Sequence, residues 1–367
     1  MTFTARNAGR NVDPDIRRAS TLPSRFYTDP ALFSAARERV FARAWQLAAP
    51  LDLVRTPRRA VPVTLLEGYL DEPLLLTRDD DDVLRCLSNV CTHRGNLVVE
   101  GETEGRTLRC RYHGRRFGLD GRFVSMPEFE DVEAFPSPAD DLARIPLATW
   151  GPLAFAALDP VVDFETAFAP IAASLSFLPL DELVYDPAIS RDYLVRAHWA
   201  LYVDNYLEGF HVPFVHAGLA DSLDYGAYRT ETHDWSVLQV GVAKGGVEVF
   251  DGPLGEERVA ALYWWLFPNT MLNVYPWGLS VNVVKPVAPD RTRVSYHTWV
   301  LDPGRMEGGA GAALDRVERE DEAIVEAVQR GVRSRFYDRG RYSPAREAGV
   351  HRFHRILTGL LDAAEPL

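Results

Sequence analysis

The segment Cys91-Thr92-His93, followed after sixteen residues by Cys110-Arg111-Tyr112-His113-Gly114, restricts this chain more than any other feature. Each half offers one thiolate and one imidazole on a tight turn. Two such turns facing each other can hold one zinc in a Cys2His2 tetrahedron, or a [2Fe–2S] cluster with the cysteines on one iron and the histidines on the other. Spacing separates the options. Zinc fingers pair Cys with Cys and His with His in each half, whereas C-x-H with C-x-x-H suits a cluster bridging two loops. Neutral imidazoles in place of two thiolates also raise a cluster's reduction potential. The third cysteine, Cys86, lies five residues before the first ligand and reads as a core thiol of a strand. Three clustered cysteines are too few for a secreted disulfide framework.

Short apolar runs at 61–66, 74–77 and 83–87, separated by turn clusters such as Asp79 to Asp82, predict a small β domain over residues 46–160. Within it the Pro-rich, acidic stretch 126–146 reads as a surface connection, and 152–158 as a further strand. Ahead of it, residues 1–45 form a tail and a helix: Asp29-Pro30 opens the helix, and Leu32, Phe33, Ala36, Val40, Phe41, Ala44 and Trp45 recur at helical spacing. Residues 161–367 read as α+β, with helices at 164–178, 191–210 and 313–329 beside an antiparallel sheet. Its strands are expected at 236–242, 247–250, 260–267, 271–275, 279–286 and 293–301. The glycines at 308–311 lack the strand and third glycine of a dinucleotide loop. They read as a linker, so the chain is not expected to bind its own nicotinamide.

Charge narrows the partners. With 40 Lys+Arg against 52 Asp+Glu the net charge is -12, which leaves no basic face for phosphates and excludes nucleic acid. No run of 18 apolar residues and no apolar core near the start appear, so neither a membrane span nor a signal peptide is expected, and the reading is cytoplasmic. Arg6, Arg10, Arg17 and Arg18 are interrupted by Asp13 and Asp15. They read as a solvated tail rather than an organellar presequence.

A second constellation lies between Trp199 and His216. Asp204, Glu208 and His211 fall at i, i+4 and i+7 on one face of a predicted helix, and Pro213 would end it so that His216 turns back toward His211. Two acids and a histidine on an otherwise apolar helix are costly to bury without a cation. The alternative is a solvated polar stripe. In helix 313–329 the apolar stripe runs through Leu314, Val317, Ile324, Val325 and Val328, and Asp321 occupies the remaining position on it, while Glu318, Arg319, Glu320 and Glu322 are more easily left in water. His211, His216 and Asp321 would make the two-His, one-carboxylate triad of a mononuclear iron(II), with positions open for dioxygen and substrate. A salt bridge from Asp321 to Arg316 or Arg330 is the alternative.

The flanks of both constellations, Ser88 to Gly95, Cys110 to Gly114 and Glu208-x-x-His211-x-x-x-x-His216, resemble the catalytic α subunit of Rieske non-haem iron ring-hydroxylating oxygenases over nearly the whole chain. Within that family, Asp204 to His216, Gly340-Arg341-Tyr342 and His351-Arg352-Phe353-His354 look most like the branch of choline monooxygenase and related quaternary-ammonium oxygenases. The resemblance implies a Rieske [2Fe–2S] domain set into a helix-grip catalytic domain, and a homotrimer in which the cluster of one subunit lies beside the iron of its neighbour. It implies cluster ligands Cys91, His93, Cys110 and His113, iron(II) on His211, His216 and Asp321, and dioxygen as co-substrate. Electrons would come from NAD(P)H through a separate reductase or ferredoxin. Glu208 is expected to bridge a cluster histidine and an iron histidine between subunits, and Asp204 to orient a ligand histidine.

The substrate pocket is expected on the strand bearing Tyr263, Trp265 and Phe267, with Tyr275 and Tyr275's neighbour Trp277. These aromatics can cage a trimethylammonium group, hold an arene, or simply form core. The expected activity is hydroxylation or N-demethylation of a small substrate such as a quaternary ammonium compound, with arene hydroxylation as the alternative. An electron carrier would need only the β domain, and a zinc-stabilised binding protein would need neither iron site. His198, His233 and His297 lack ligand spacing, and His351 and His354 read as packing residues.

Overall fold

The computed structural model describes residues 12–251, 257–312 and 314–363. The chain divides into two compact units, Ala42–Val161 and the combination of Met1–Phe41 with Val162–Leu367.

The smaller unit is built from eleven short strands: β1 (Gln46–Pro50), β2 (Arg59–Leu65), β3 (Glu72–Arg78), β4 (Leu84–Ser88), β5 (Thr103–Glu104), β6 (Thr107–Arg109), β7 (Arg116–Gly118), β8 (Phe123–Ser125), β9 (Arg144–Ile145), β10 (Leu147–Trp150) and β11 (Leu153–Ala156). They form antiparallel sheets in the orders β5-β2-β3-β4-β9, β6-β7-β8 and β1-β11-β10. The run Leu74, Leu75, Leu76 makes β3 apolar on both faces, and all three are fully buried. The acidic cluster that follows is a turn, in which Asp79 Oδ1 accepts from the amides of Asp81 and Val83. Cys86 sits in the middle of β4, and burial pushes its thiol up to about 12. It is an inert core residue.

In the larger unit, α1 (Pro30–Ala36) starts where Asp29 Oδ1 accepts from Ala31 N (2.9 Å). The helical path ends in a π turn at Arg37–Phe41, short of Trp45. The carbonyls of Ala42 and Arg43 are taken by the amides of Asp159 and Val161 rather than by a further helical turn. The other helices are α2 (Phe164–Ser174), α3 (Trp199–Tyr206), α4 (Val212–Val215), α5 (Ala217–Ser222), α6 (Leu314–Gly331) and α7 (Ala348–Asp362). The strands are β12 (Val184–Tyr185), β13 (Arg191–Val195), β14 (Arg229–Thr232), β15 (Ser236–Val242), β16 (Val259–Leu266), β17 (Thr270–Tyr275), β18 (Gly278–Ala288) and β19 (Arg291–Val300). They make one antiparallel sheet in the order β14-β15-β16-β17-β18-β19, with β12 and β13 both on the outer edge of β19. Trp199 of α3 packs edge-on against Phe41 and Phe353, and Trp265 of β16 against the same Phe353, so three elements close on one aromatic core. The α+β architecture read from the sequence is the one observed.

Several expectations change. The stretch 191–210 is a strand followed by a short helix, because His198 interrupts it: its Nδ1 accepts from Ala200 N (3.2 Å) and caps α3. Residues 247–250 form no strand, although Val247 and Val249 pack on the cluster of Leu223, Ala243 and Ala260. The glycine stretch taken as a linker contains a single 3-10 turn, Gly309–Gly311, and Gly311 is buried. The start of helix 313–329 at Ala313, and Arg6 and Arg10 of the tail, lie outside the described residues. Residues 12–20 are not a solvated tail: Asp13 and Asp15 pair with Arg17 and Arg18, Ser20 bridges Arg341, and the Asp13 carbonyl accepts from His351 Nε2 (2.8 Å). Ile324 and Val328 are exposed, so the inward face of α6 runs through Glu318, Asp321, Val325 and Gln329. Among the described residues no helix is long and apolar enough to cross a membrane.

Candidate metal centres

The two Cys/His loops of the smaller unit are near copies. In one, Gly95 N donates to Cys91 O (3.0 Å) and Cys91 N to Asn96 O (2.8 Å); in the other, Gly114 N donates to Cys110 O (3.0 Å) and Cys110 N to Arg115 O (2.9 Å). Both loops close on a glycine with φ near +70 to +80°, a conformation that favours glycine. This is why the two motifs share that residue. The thiols of Cys91 and Cys110 are buried and hydrogen-bonded to each other, and burial holds the Cys91 thiol above its ordinary range. The rings of His93 and His113 are 4.8 Å apart, and His113 is exposed. Asn96 Nδ2 donates to Cys110 Sγ (3.5 Å). Two thiols on the buried side and two imidazoles toward solvent fit a cluster with split ligation, and among the described residues these four do not gather as the ligands of one ion, as His211, His216 and Asp321 do.

In the larger unit α3 stops at Tyr206, so Asp204, Glu208 and His211 do not share one helical face. Glu208 instead ties the following turn, its Oε2 accepting from the amides of Phe210 and His211. His211 then precedes α4, Pro213 stands in that helix's first turn, and His216 occupies the joint between α4 and α5. Asp321 arrives from the middle of α6. His216 Nε2 lies 3.0 Å and His211 Nε2 3.4 Å from Asp321 Oδ1, and one ligand atom from each of the three residues falls within 4.8 Å of the others.

Both imidazoles are held from behind. His211 Nδ1 donates to Glu208 Oε1 (2.8 Å) and His216 Nδ1 to Glu320 Oε2 (2.9 Å). Each Nε2 is thereby turned toward Asp321, the arrangement of a histidine whose other nitrogen ligates a metal. Burial disfavours the imidazolium of His211, but hydrogen bonds to Asp321 and Glu208 outweigh it and raise its pKa to about 9. For His216 burial is likewise outweighed by Asp321 and Glu320. Asp321 is buried, which would raise its pKa, yet the two histidines hold it at about 2. Two nitrogens and one carboxylate oxygen fit an iron(II) with open positions. Asn205 Nδ2 donates to Asp321 Oδ1 (2.7 Å) and fixes that carboxylate.

The triad opens into a cavity of about 80 Å³ whose walls include Tyr206, Tyr228, Tyr263, Tyr275 and the carboxylates of Glu208 and Glu318. A neighbouring cavity of about 240 Å³ shares Leu314 and Glu318 with it and is walled by Trp277, Tyr193 and Tyr296. Of the aromatics expected at the pocket, Tyr263 and Tyr275 line the first cavity and Trp277 the second. Trp265 and Phe267 do not: two residues advance a strand about 7 Å, which carries Trp265 beneath Phe353 and Phe267 onto Trp235.

Asp204 also departs from its expected place. Its Oδ2 accepts from Tyr27 Oη (2.9 Å) and its Oδ1 from His354 Nε2 (2.8 Å), so it fastens the N-terminal segment to α7 and touches neither His211 nor His216. Glu320 and Glu318, assigned to water from the sequence, both reach the site. Their direction is set by how α6 lies on α3 and β13, and the chain offers no local signal for it. His351 binds the Asp13 carbonyl and His233 stacks on Trp264, neither near a metal ligand.

Residues 180–363 match the family described as ring hydroxylating alpha subunit (catalytic domain), and residues 45–136 match the Rieske [2Fe-2S] domain. The chain is 32% identical to the chloroplastic choline monooxygenase of Arabidopsis thaliana, over 94% of this chain and 84% of that one. It is 31% identical to the carnitine monooxygenase oxygenase subunit of Escherichia coli (strain K12), over 93% and 94%. A solved quaternary ammonium Rieske monooxygenase, described with carnitine oxidation and inter-subunit electron transfer, superposes with a TM-score of 0.78 at 26% identity, covering 96% of this chain and 99% of that one. Naphthalene 1,2-dioxygenase from Rhodococcus sp. shares the fold, with a TM-score of 0.71 at 19% identity over 94% and 95% of the two chains.

Proposed function

This chain belongs to the Rieske ring-hydroxylating oxygenase alpha-subunit family, and from that premise we propose that it is a monooxygenase of a small quaternary ammonium compound. The observation that carries the reading is the cavity at the triad: tyrosines and carboxylates line it, and among its described lining residues there is no Lys or Arg. Such a wall attracts a cation through ring faces and negative charge together. Its volume is small beside the 300–1,000 Å³ typical of drug-sized ligand clefts, which suits a compact substrate.

In this reading Cys91 and Cys110 hold one iron of a [2Fe–2S] cluster, and His93 and His113 the other. His211, His216 and Asp321 hold an iron(II), which when bound supplies dioxygen binding and its reductive activation. The chain's own residues prepare that site. Glu208 and Glu320 fix the two imidazoles through Nδ1, Asn205 fixes Asp321, and Tyr206, Tyr263 and Tyr275 exclude water and orient the substrate. Two electrons from a separate reductase or ferredoxin, and ultimately from NAD(P)H, accompany each turnover, with one oxygen atom entering the substrate and the other leaving as water. The catalytic unit, helices laid beside one antiparallel sheet, is of helix-grip type. A homotrimer passing electrons between subunits is supported by Phe210 and Phe214, exposed apolar residues flanking His211.

Anaerobically purified protein should contain about three irons and two acid-labile sulfides per chain, the sum of a cluster and one iron. With a generic reductase, choline should stimulate dioxygen and NADH consumption. Two irons with two sulfides and no choline-dependent consumption would refute the oxygenase reading.

A further inference from the structure

Glu318 stands at the junction of the two cavities and belongs to no part of the metal machinery described above. It lies on α6 three residues before Asp321, hence on the same helical face. Its Oε2 accepts from Tyr202 Oη (2.6 Å) and from Tyr296 Oη, and those two hydroxyls are themselves 2.5 Å apart. Among the described residues its Oε1 takes no hydrogen bond, and no Lys, Arg or His pairs with the carboxylate. Other acids of the same helix are neutralised: Asp315 by Arg191 and Arg319, Glu320 by Arg316 and His216, Glu326 by Arg196. Burial first, and the charge of Asp321 second, raise the Glu318 pKa to about 7. A carboxylate so placed gains from any cation brought to it.

We propose that Glu318 is the specificity-determining counter-ion of the substrate, its free Oε1 meeting the cationic head group where the metal cavity joins the outer one. The inference rests on the quaternary ammonium reading. The ring of Tyr296 stands edge-on to Tyr193 at 5.2 Å, and both rings wall the outer cavity beside the carboxylate. Aromatic faces and a carboxylate then share the cation, the rings supplying shape and the carboxylate supplying the preference for charge. An uncharged molecule of the same shape would keep the ring contacts and lose that preference.

The test compares choline with its uncharged carbon isostere, 3,3-dimethylbutan-1-ol, by equilibrium calorimetry on iron-loaded protein. Wild type is expected to prefer choline. Glu318→Gln, which keeps the shape and an acceptor for the phenols, should lose choline affinity by about thirtyfold and leave the isostere unchanged, as for one partner of a desolvated charge pair. An unaltered visible spectrum of the cluster reports an intact fold, and Glu318→Ala serves if the Gln variant does not fold. Choline affinity equal to wild type in these variants, or equal loss for both ligands, overturns the role of Glu318 alone. Wild type that binds no choline overturns the quaternary ammonium reading and this inference together.

Discussion

Replacing the carboxylates behind the two iron histidines should loosen the mononuclear metal in a set order. Glu320 Oε2 accepts from His216 Nδ1 at 2.9 Å, but its Oε1 also accepts from Arg316 Nε at 3.0 Å and the side chain is 26% exposed. Glu208 meets His211 Nδ1 at 2.8 Å, has no arginine, and is 16% exposed. Loss of such a partner costs about 10- to 100-fold in metal affinity. Solvent and Arg316 already weaken the Glu320 contact, which places Glu320→Gln near the low end, about tenfold or ~1.4 kcal/mol. Glu208→Gln belongs near about a hundredfold. Iron-loaded wild type and variants are titrated with a chelator, the iron remaining is counted, and the cluster's visible absorption reports that its own irons stay in place. Iron retention in Glu320→Gln equal to wild type, or greater loss from Glu320→Gln than from Glu208→Gln, would refute the view that these carboxylates aim the imidazoles.

Other outcomes follow from single contacts. A Cβ at Gly349 would lie 2.5 Å from the Leu207 carbonyl, so Gly349→Ala must push α7 off the end of α3 and should cost about 1–3 kcal/mol by calorimetric unfolding; an unchanged Tm would show that the helix yields freely. Burial lowers the His198 pKa from 6.5 to about 3, so the unfolded chain binds the proton more readily: its contribution is whole above pH 6.5 and is lost as the pH falls toward 3. Between pH 6.5 and 5 wild type should lose about 2 kcal/mol more stability than His198→Asn in denaturant unfolding, and parallel losses would contradict this. Cys91→Ser and Cys110→Ser should abolish the cluster's visible spectrum while Cys86→Ala preserves it. Choline should be used with a lower KM than carnitine, since the carboxylate of carnitine would face Glu208, Glu318 and Asp321 without a cation in the described lining; the opposite order would place the substrate elsewhere.

The cluster loops were legible in the sequence because their ligands sit at fixed local offsets and each turn demands its own glycine, Gly95 and Gly114. Asp321 was legible through helical period, since a single acid on an apolar stripe is conspicuous. The same stripe misled over Ile324 and Val328, which face outward, because the face that α6 buries is partly polar. Glu320 and Glu318 reach the site through the packing of α6 on distant elements, which no local pattern encodes. The pocket aromatics were only partly legible for another reason. Tyr263 and Trp265 are two apart and share a face of β16, and alternation gives the face but not the place along the strand that puts Tyr263 at the cavity and Trp265 beneath α7.

The amides of Asp159 and Val161 bind the carbonyls of Ala42 and Arg43, at 3.0 Å each. The 120 residues between those seams therefore leave and rejoin the thread at one place, as an insertion does. Sequence can be exchanged there as a cassette, with a short splice closing the host chain. On the ribosome, the inserted unit is complete long before α7 emerges to close the unit that surrounds it in sequence. The four Cys and His residues of the inserted unit are thus all in place before α6 delivers Asp321 to His211 and His216.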